Sequence, residues 1–560
     1  MPTVSEIEEM IKPLWPEGVP RTIDIPNVRL DSLLADAAAK WPDAVATSYF
    51  GFDITYQKLN EIADRIAAAL ANLGIQKGDT VAAHFTNTPA VVAAYFGILR
   101  AGARVTLVSP LFKSMEIKFQ LTDSEAKVYI YWEGFDQVAE PILPETGVQI
   151  KIKSSMAPWI SSDPLASEPL DPEGNVLWLE DLMRNAPAEP PVTEIDPQED
   201  LACLQYTGGT TGMPKAAMLT HYNLVANVYQ CKAWFPTCEE CGETMMTALP
   251  LYHIYAQTVC QNFSVLIGAK QVLITNARNV EELIEAIEHH HVTIFPGVSA
   301  LYNMINNYAG IENHNLSSVK FCLSGAGPLP FEIQRRFEEL TGAKLREAYG
   351  LTEASPATHA NRLDDMNFPG FIGLPLPSTL FRIIDPSDRR TDLDVGVVGE
   401  LCIAGPQVMK GYYKRQNETD ACLIDVDGDG RLWLFTGDLA EIDERGLTRI
   451  RDRAKNLIKY KGHSVYPAEV EDLMFGNPNI LDIAVVGMPD EEAGETIKAF
   501  VVLKDFAKGQ VSEQDIIDWA KDNMASYKFP REVTFIDEIP KGTAGKTIHR
   551  ILREGKTEED

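Results

Sequence analysis

The sequence is short of cysteine, of positive charge and of long apolar runs, and each shortage removes a class of function. Its eight cysteines in 560 residues mostly sit inside apolar runs such as "FCLSG" and "ELCIAG", where they read as small core residues and not as a disulfide framework. Cys238-Glu-Glu-Cys241 has metal-ligand spacing but lacks the second pair of a structural zinc site. Lysine and arginine number 50 against 80 aspartates and glutamates, a formal net charge of -30. A field of that sign repels nucleic acid and anionic lipid, so neither is an expected partner, and an anionic substrate would need a local basic pocket. No run reaches the roughly 18 apolar residues of a membrane span, and the opening "MPTVSEIEEMIKPLWPEG" lacks the basic start and apolar stretch of a signal peptide. The expectation is a cytoplasmic protein without an integral membrane segment. There is no internal repeat and no low-complexity tract.

What is present is a chain that is 45% hydrophobic and too long for one compact domain. Leu59, Ile62, Ile66, Leu70 and Leu73 recur at steps of three and four with Gly74 just beyond, which predicts a helix with a C-terminal stop. The β-rich runs "TVAAHF", "ARVTLVS" and "AKVYIY", and later "QVLI", "VTIF" and "VKFCLS", alternate with helical segments such as "PAVVAAYFGILRAG". That alternation predicts an α/β fold of layered subdomains with mainly parallel sheets. Pro, Asp and Glu crowd together between about 155 and 200, marking a surface excursion. After "RIRDRAKNLIKYKG" the texture changes to that of a small α+β domain. The expected organisation is a large N-terminal domain over 1–450, a hinge over 451–456 and a small C-terminal domain over 457–560.

The stretch "LQYTGGTTGMPKAAMLTH", Leu204 to His221, packs three glycines, four threonines and a lysine between an apolar run and what reads as a helix. Backbone N–H groups with no Cβ in the way, together with hydroxyl donors, suit a phosphate. The Walker pattern fails here, because Lys215 follows a proline and precedes two alanines. Two other features read as local structure. His289-His290-His291 ends the pattern "VEELIEAIEHHH", where histidines complement the helix dipole. Asp425-Val-Asp427-Gly-Asp429-Gly430 starts like a calcium loop, but Thr436 occupies the position of the required glutamate, leaving a tight acidic turn.

Further segments complete a pattern: "PLYHIYA" (250–256), "CLSGAGPLP" (322–330), "REAYGLTEASP" (346–356), "LFTGDLAEIDERGLTRIRDRAKNLIKYKGHSVYPAEVE" (434–471) and the tail "IPKGTAGKTIHRILR" (539–553). With the threonine loop, in this order, they resemble the adenylate-forming superfamily of acyl-CoA synthetases, luciferases and peptide-synthetase adenylation domains, over about 50–553. "LQYTGGTTG" and "PLFKSMEIKFQLTDSEAKV" look more like fatty-acyl-CoA synthetases than aryl or amino-acid activators. The resemblance implies an AMP-forming fatty-acid–CoA ligase for medium- to long-chain acids, with ATP, Mg2+ and coenzyme A as reactants and cofactors. An aryl-acid CoA ligase and an acyl-AMP ligase loading a carrier protein are its alternatives, and a homodimer is compatible with it.

The resemblance also implies roles. Thr207, Gly208, Gly209, Thr210, Thr211, Gly212 and Lys215 would wrap the β- and γ-phosphates, and Thr207 with Glu353 would hold Mg2+. Gly325, Ala326 and Gly327 would let the adenine lie against backbone, within a nucleotide site that includes Glu347, Ala348, Tyr349, Gly350, Leu351 and Thr352; Tyr349 would stack on the ring's other face. Asp438 and Arg453 would bind the ribose. Lys546 would stabilise the charge that builds in adenylation. His253 would gate the acyl entrance or neighbour the carboxylate, since a carboxylate nucleophile needs no general base at neutral pH. The small domain would be mobile, swinging about Lys455, and Lys459, Lys461 and Gly462 would meet CoA. Three residues depart from the family's pattern: Ala216, Gly542 and Thr547.

Overall fold

A computed structural model describes residues 2–160, 163–207, 214–453, 456–461, 463–490, 494–541 and 547–554. The predicted α/β alternation is realised as two mainly parallel sheets with helices layered between and around them. The first contains, in spatial order, the strands 374–375, 357–360, 344–350, 321–324, 294–297, 244–247, 270–273, 45–49 and 52–55. Its six middle members run parallel, and the edge strands are antiparallel. The second runs 150–154, 126–132, 80–84, 104–108, 201–206 and 216–220, with only the last antiparallel.

Parallel strands covered on both faces read as continuous apolar runs rather than alternating ones; Thr80–His84 is buried at all five positions. The helix Pro89–Arg100 is buried all round because it lies within the layers. Its start follows from sequence: Thr88 Oγ1 accepts from the Val91 amide, and proline takes the first turn, where its missing N–H costs nothing. Arg100, at its end, is neutralised by Asp64 at 2.7 Å. The helix predicted around Leu59 spans Tyr56–Asn72 and stops at Gly74, whose φ is +86°.

A smaller sheet carries the strand Leu432–Ile442 beside Gly399–Ala404, with Thr448–Arg453 paired on it. Beyond it a separate apolar cluster gathers Ile458, Val465, Val470, Val485, Ile497, Val501 and Ile516. There the strands Ile480–Asp490 and Gly494–Leu503 form a long antiparallel pair. The helix Pro467–Met474 is tied back to Thr448–Arg453 by the Ala468 amide, which donates to Asp452 Oδ2 at 3.2 Å. Among the described residues no helix is long and apolar enough to cross a membrane. The stretch from Asp425 closes on itself as a turn, its carboxylate accepting from the amides of Gly428 and Gly430.

One local expectation is corrected. A helix does not follow the threonine loop directly: Ala216–Thr220 is a strand, antiparallel to Leu201–Tyr206, and the helix His221–Trp234 starts after it. The segments on either side of the loop are therefore antiparallel partners. The run "AAMLT" is apolar enough to fill a sheet edge, and the side chain of Thr220 caps the helix, which places the helix start one residue later.

Candidate active site

The motif segments leave the carboxyl ends of parallel strands, the side on which open α/β sheets bind ligands. Residues 250–256 follow the strand Thr244–Thr247, Gly325 follows Phe321–Ser324, Leu351 follows Lys344–Gly350, and Thr207 follows Leu201–Tyr206.

At the base of the threonine loop the Thr207 amide donates to Lys215 O at 2.9 Å, one step beyond the register pair Tyr206–Ala216. The free edge of Ala216–Thr220 is then taken by residues 410–413. Met218 N donates to Gly411 O at 2.9 Å, Lys410 N to Met218 O at 3.0 Å, and Tyr413 N to Ala216 O at 2.8 Å. Gly411 makes the approach feasible, having φ +139° and no room for a Cβ, which would lie 2.5 Å from Thr419 Cγ2. This zipper delivers Tyr412, which no reading of the sequence singled out. Its hydroxyl donates to Glu353 Oε1 at 2.6 Å, and Lys215 Nζ lies 4.4 Å from its ring centroid. Burial first, then the Glu353 charge, hold the Tyr412 phenol protonated far above its ordinary range. The only sequence signal was "GYYK", an aromatic pair between a glycine and a lysine, and it acquires meaning through a pairing some 200 residues distant.

Glu353 lies in the short 3-10 turn Thr352–Ala354, pinned by Met409 N donating to its carbonyl at 2.9 Å. Gly350 must be glycine, since a Cβ would stand 2.3 Å from Pro356 O. The Leu351 amide donates to that same oxygen, which folds the segment back on itself.

A second cluster forms where three segments meet. Asp438 and Arg453 are register partners on adjacent antiparallel strands, and Arg453 Nε stands 3.1 Å from Asp438 Oδ1. Tyr349 O–H donates to Asp438 Oδ2 at 2.6 Å. Burial and the Asp438 charge keep the Tyr349 phenol well above its usual range, and the same carboxylate raises Arg453. A carboxylate has about four lone-pair directions, so this one retains acceptor capacity after both contacts.

Gly325 is buried, Ala326 half-buried and Gly327 exposed. Gly325 serves a neighbour that sequence reasoning had not considered: a Cβ there would meet the Tyr255 ring at 2.9 Å. Ala326 has φ +65°, a conformation costly for alanine and of the kind concentrated at functional sites. Glu347 is half-buried, with its carboxyl raised to about 8 mainly by burial, against the opposing effect of the Leu329 amide. Ala348 pairs with Ala360 across the strand.

His253 is half-buried, and its Nδ1 accepts from the Tyr255 amide at 3.3 Å. Lys459 is exposed, with its amide donating to the Glu495 carboxylate at 2.7 Å, and Lys461, also exposed, has φ +47°. Cys238 is half-buried and Cys241 exposed. Gly208, Gly209, Thr210, Thr211, Gly212, Lys455, Gly462 and Lys546 lie outside the described residues, as does Gly542.

Known proteins resemble this chain over nearly its whole length. The family model for AMP-binding enzymes matches residues 34–413, and that for the AMP-binding enzyme C-terminal domain matches 469–546. A long-chain-fatty-acid–CoA ligase from Bacillus subtilis (strain 168) is 38% identical over 556 residues, covering 97% of each chain. One from Escherichia coli O157:H7 is 36% identical over 96% of this chain and 97% of its own. Among solved structures, ATP-bound MatB from Rhodopseudomonas palustris superposes with a TM-score of 0.82 at 27% identity, over 94% of this chain and 99% of that one.

Proposed function

The chain belongs to the family of AMP-binding enzymes, and from that premise we propose that it is an AMP-forming fatty-acid–CoA ligase acting on medium- to long-chain acids. In the first half-reaction a carboxylate oxygen attacks the α-phosphorus of ATP, giving acyl-AMP and releasing pyrophosphate. In the second, the thiolate of CoA attacks the acyl carbon, giving the thioester and releasing AMP. The observation that carries this reading is the 36–38% identity, over nearly the whole of both chains, to long-chain-fatty-acid–CoA ligases of two bacterial genera.

The side chains take roles that fit this chemistry. Asp438, already oriented by Tyr349 and Arg453, accepts hydrogen bonds from the ribose hydroxyls through its remaining lone pairs. Tyr349 presents its ring to the adenine, and Gly327, exposed and with nothing within 4 Å of a Cβ position, leaves space for a flat base. The threonine loop and Lys215 receive the phosphates. The donor set suits Mg2+: the Glu353 carboxylate, with one oxygen bonded to Tyr412, keeps acceptor capacity, Thr207 adds a hydroxyl, and a hard cation prefers oxygen. Bound there, the ion would neutralise phosphate charge. Lys546 supplies a compact positive charge to the reacting carboxylate and α-phosphate. His253 borders the acyl entrance, and Lys459, Lys461 and Gly462 meet CoA.

The same reading divides the chain at 451–456, with the unit 457–560 swinging about Lys455 between half-reactions so that Lys546 leaves room for the thiol. It also places the enzyme in the cytoplasm; a homodimer is compatible. An acid panel from acetate to palmitate with added aryl acids, quantifying pyrophosphate, AMP and acyl-CoA, tests the proposal. Acyl-AMP formation without thiol consumption would identify an acyl-AMP ligase instead, and preference for aryl acids would move the substrate class.

A further inference from the structure

Thr207, Lys215 and Tyr412 each stand next in sequence to one member of a cross-strand row. Tyr206 is the register partner of Ala216, and on the other side of Ala216 the Tyr413 amide donates to its carbonyl at 2.8 Å. Successive side chains of extended backbone face opposite sides of a sheet. Tyr206 and Tyr413 therefore turn away from Thr207 and Tyr412, toward the face on which the helix Ser114–Asp123 lies. Phe119 of that helix meets the Tyr206 ring edge-on, with centroids 6.2 Å apart.

The end of the helix grips this row. Tyr206 O–H donates to Asp123 Oδ2 at 2.8 Å, and Arg415 Nη2 donates to Asp123 Oδ1 at 2.8 Å. Two residues on, Glu125, held at φ +53°, accepts from Tyr413 O–H at 2.7 Å and pairs with Lys414 at 2.9 Å. Arg104 Nη2 donates to the same tyrosine oxygen at 2.9 Å, and its Nε donates to Thr80 Oγ1, which in turn donates to Ser124 O. The two carboxylates are not equivalent. The Glu125 side chain is 59% exposed, and an ion pair so open to water contributes little. The Asp123 side chain is 12% exposed and holds both outer members of the three-stranded arrangement, so it fixes the distance between Tyr206 and the segment 412–415. Burial, then the Asp123 charge, raise the Tyr206 phenol above its ordinary range, which keeps it a donor.

We propose that Asp123 is a positioning residue for adenylation: through Tyr206 and Arg415 it sets, from the opposite face of the sheet, the spacing of Thr207 and Tyr412, and with it the seat of the β- and γ-phosphates and of Mg2+. The inference rests on the ligase reading and deepens it. Asp123 lies on the face away from Thr207 and acts only through its neighbours, yet a misplacement of about 1 Å at a reacting group can cost about a hundredfold in rate. The effect is confined to one half-reaction. Pyrophosphate has left before the thiolate attacks, so the second step makes no demand on the threonine loop or on the spacing of Glu353. A residue needed only for folding would show no such preference.

The test separates the half-reactions in two variants. Asp123→Asn keeps an acceptor for Tyr206 and loses the charge that holds Arg415, whereas Asp123→Ala loses both. Adenylation is followed by pyrophosphate release with MgATP varied, and thioester formation by single turnover of supplied acyl-AMP with CoA. The KM for MgATP is expected to rise about tenfold in Asp123→Ala and less in Asp123→Asn, as befits loss of hydrogen bonds to a charged group. The KM for the acid and the rate of thioester formation stay within about twofold of the parent. Tyr206→Phe, which removes only the hydroxyl, moves the KM for MgATP the same way, and its effect shrinks in an Asp123→Ala background because residues in contact couple. Equal loss of both half-reactions would overturn the inference and leave Asp123 a fold-stabilising residue, and so would an unchanged KM for MgATP. Should Asp123→Ala fail to fold, Asp123→Asn and Tyr206→Phe are judged by the same two outcomes. Failure of the parent protein to release pyrophosphate with every acid would overturn the ligase reading, and this inference with it.

Discussion

Tyr412 donates its hydroxyl to Glu353 at 2.6 Å while Lys215 sits over the same ring. One side chain thus joins the loop lysine to the carboxylate assigned to the metal. Hydrogen bonds to charged groups contribute about 1.5–3 kcal/mol. Tyr412→Phe keeps the ring under Lys215 and removes only the donor. The expected result is an increase of about tenfold or more in the Mg2+ concentration needed for half-maximal pyrophosphate release, with the KM for the acid unchanged. Titration of the initial rate with Mg2+ at saturating ATP measures this, and an unshifted curve would remove Tyr412 from the metal's surroundings.

Asp438 gathers Tyr349 and Arg453 and is assigned to the ribose. Asp438→Ala is expected to lower kcat/KM for ATP by about a hundredfold, corresponding to roughly 2.7 kcal/mol of transition-state binding. Asn at this position retains the acceptor for Tyr349 and is expected to lose less. Steady-state kinetics with ATP as the varied substrate distinguishes the two variants.

Lys546→Ala separates the half-reactions. Adenylation is expected to be abolished, while thioester formation from supplied acyl-AMP and CoA is spared, since the charge it stabilises develops only in the first step. Equal loss of both, measured by single-turnover assays, would assign Lys546 a structural role.

Away from the site, Glu180 is fully buried and accepts from Ser154 O–H at 2.6 Å and Trp159 Nε1–H at 2.8 Å, and burial raises its carboxyl from 4.5 to about 7. Between those two values the native state keeps a proton that the unfolded chain has released, so stability falls as pH rises from about 4.5 and levels off above about 7. The full cost is roughly 3 kcal/mol at about 1.4 kcal/mol per pH unit. Glu180→Gln, an isostere of the protonated acid, is expected to be the more stable form above pH 7 and to lose that advantage toward pH 5. Melting temperatures of both proteins across pH 5–8, at one scan rate, check the sign.

The layered α/β plan, the helix ending at Gly74 and the order of the glycine- and threonine-rich segments were legible in the sequence because they rest on local physics. Apolar periodicity, capping hydroxyls such as Thr88 and glycine at positive φ are determined by neighbours a few residues away. The strand Ala216–Thr220 was misread because five apolar and small residues suit a strand or a helix start equally, and only a partner strand decides between them. Tyr412 beside Glu353 and Asp438 against Tyr349 belong wholly to the tertiary structure. Each depends on segments far apart in the chain meeting at the carboxyl ends of strands, and a hydrogen bond across such a distance leaves no period in the sequence. Composition established that the protein is acidic and has a large core; long-range pairing decided which of its polar side chains face one another.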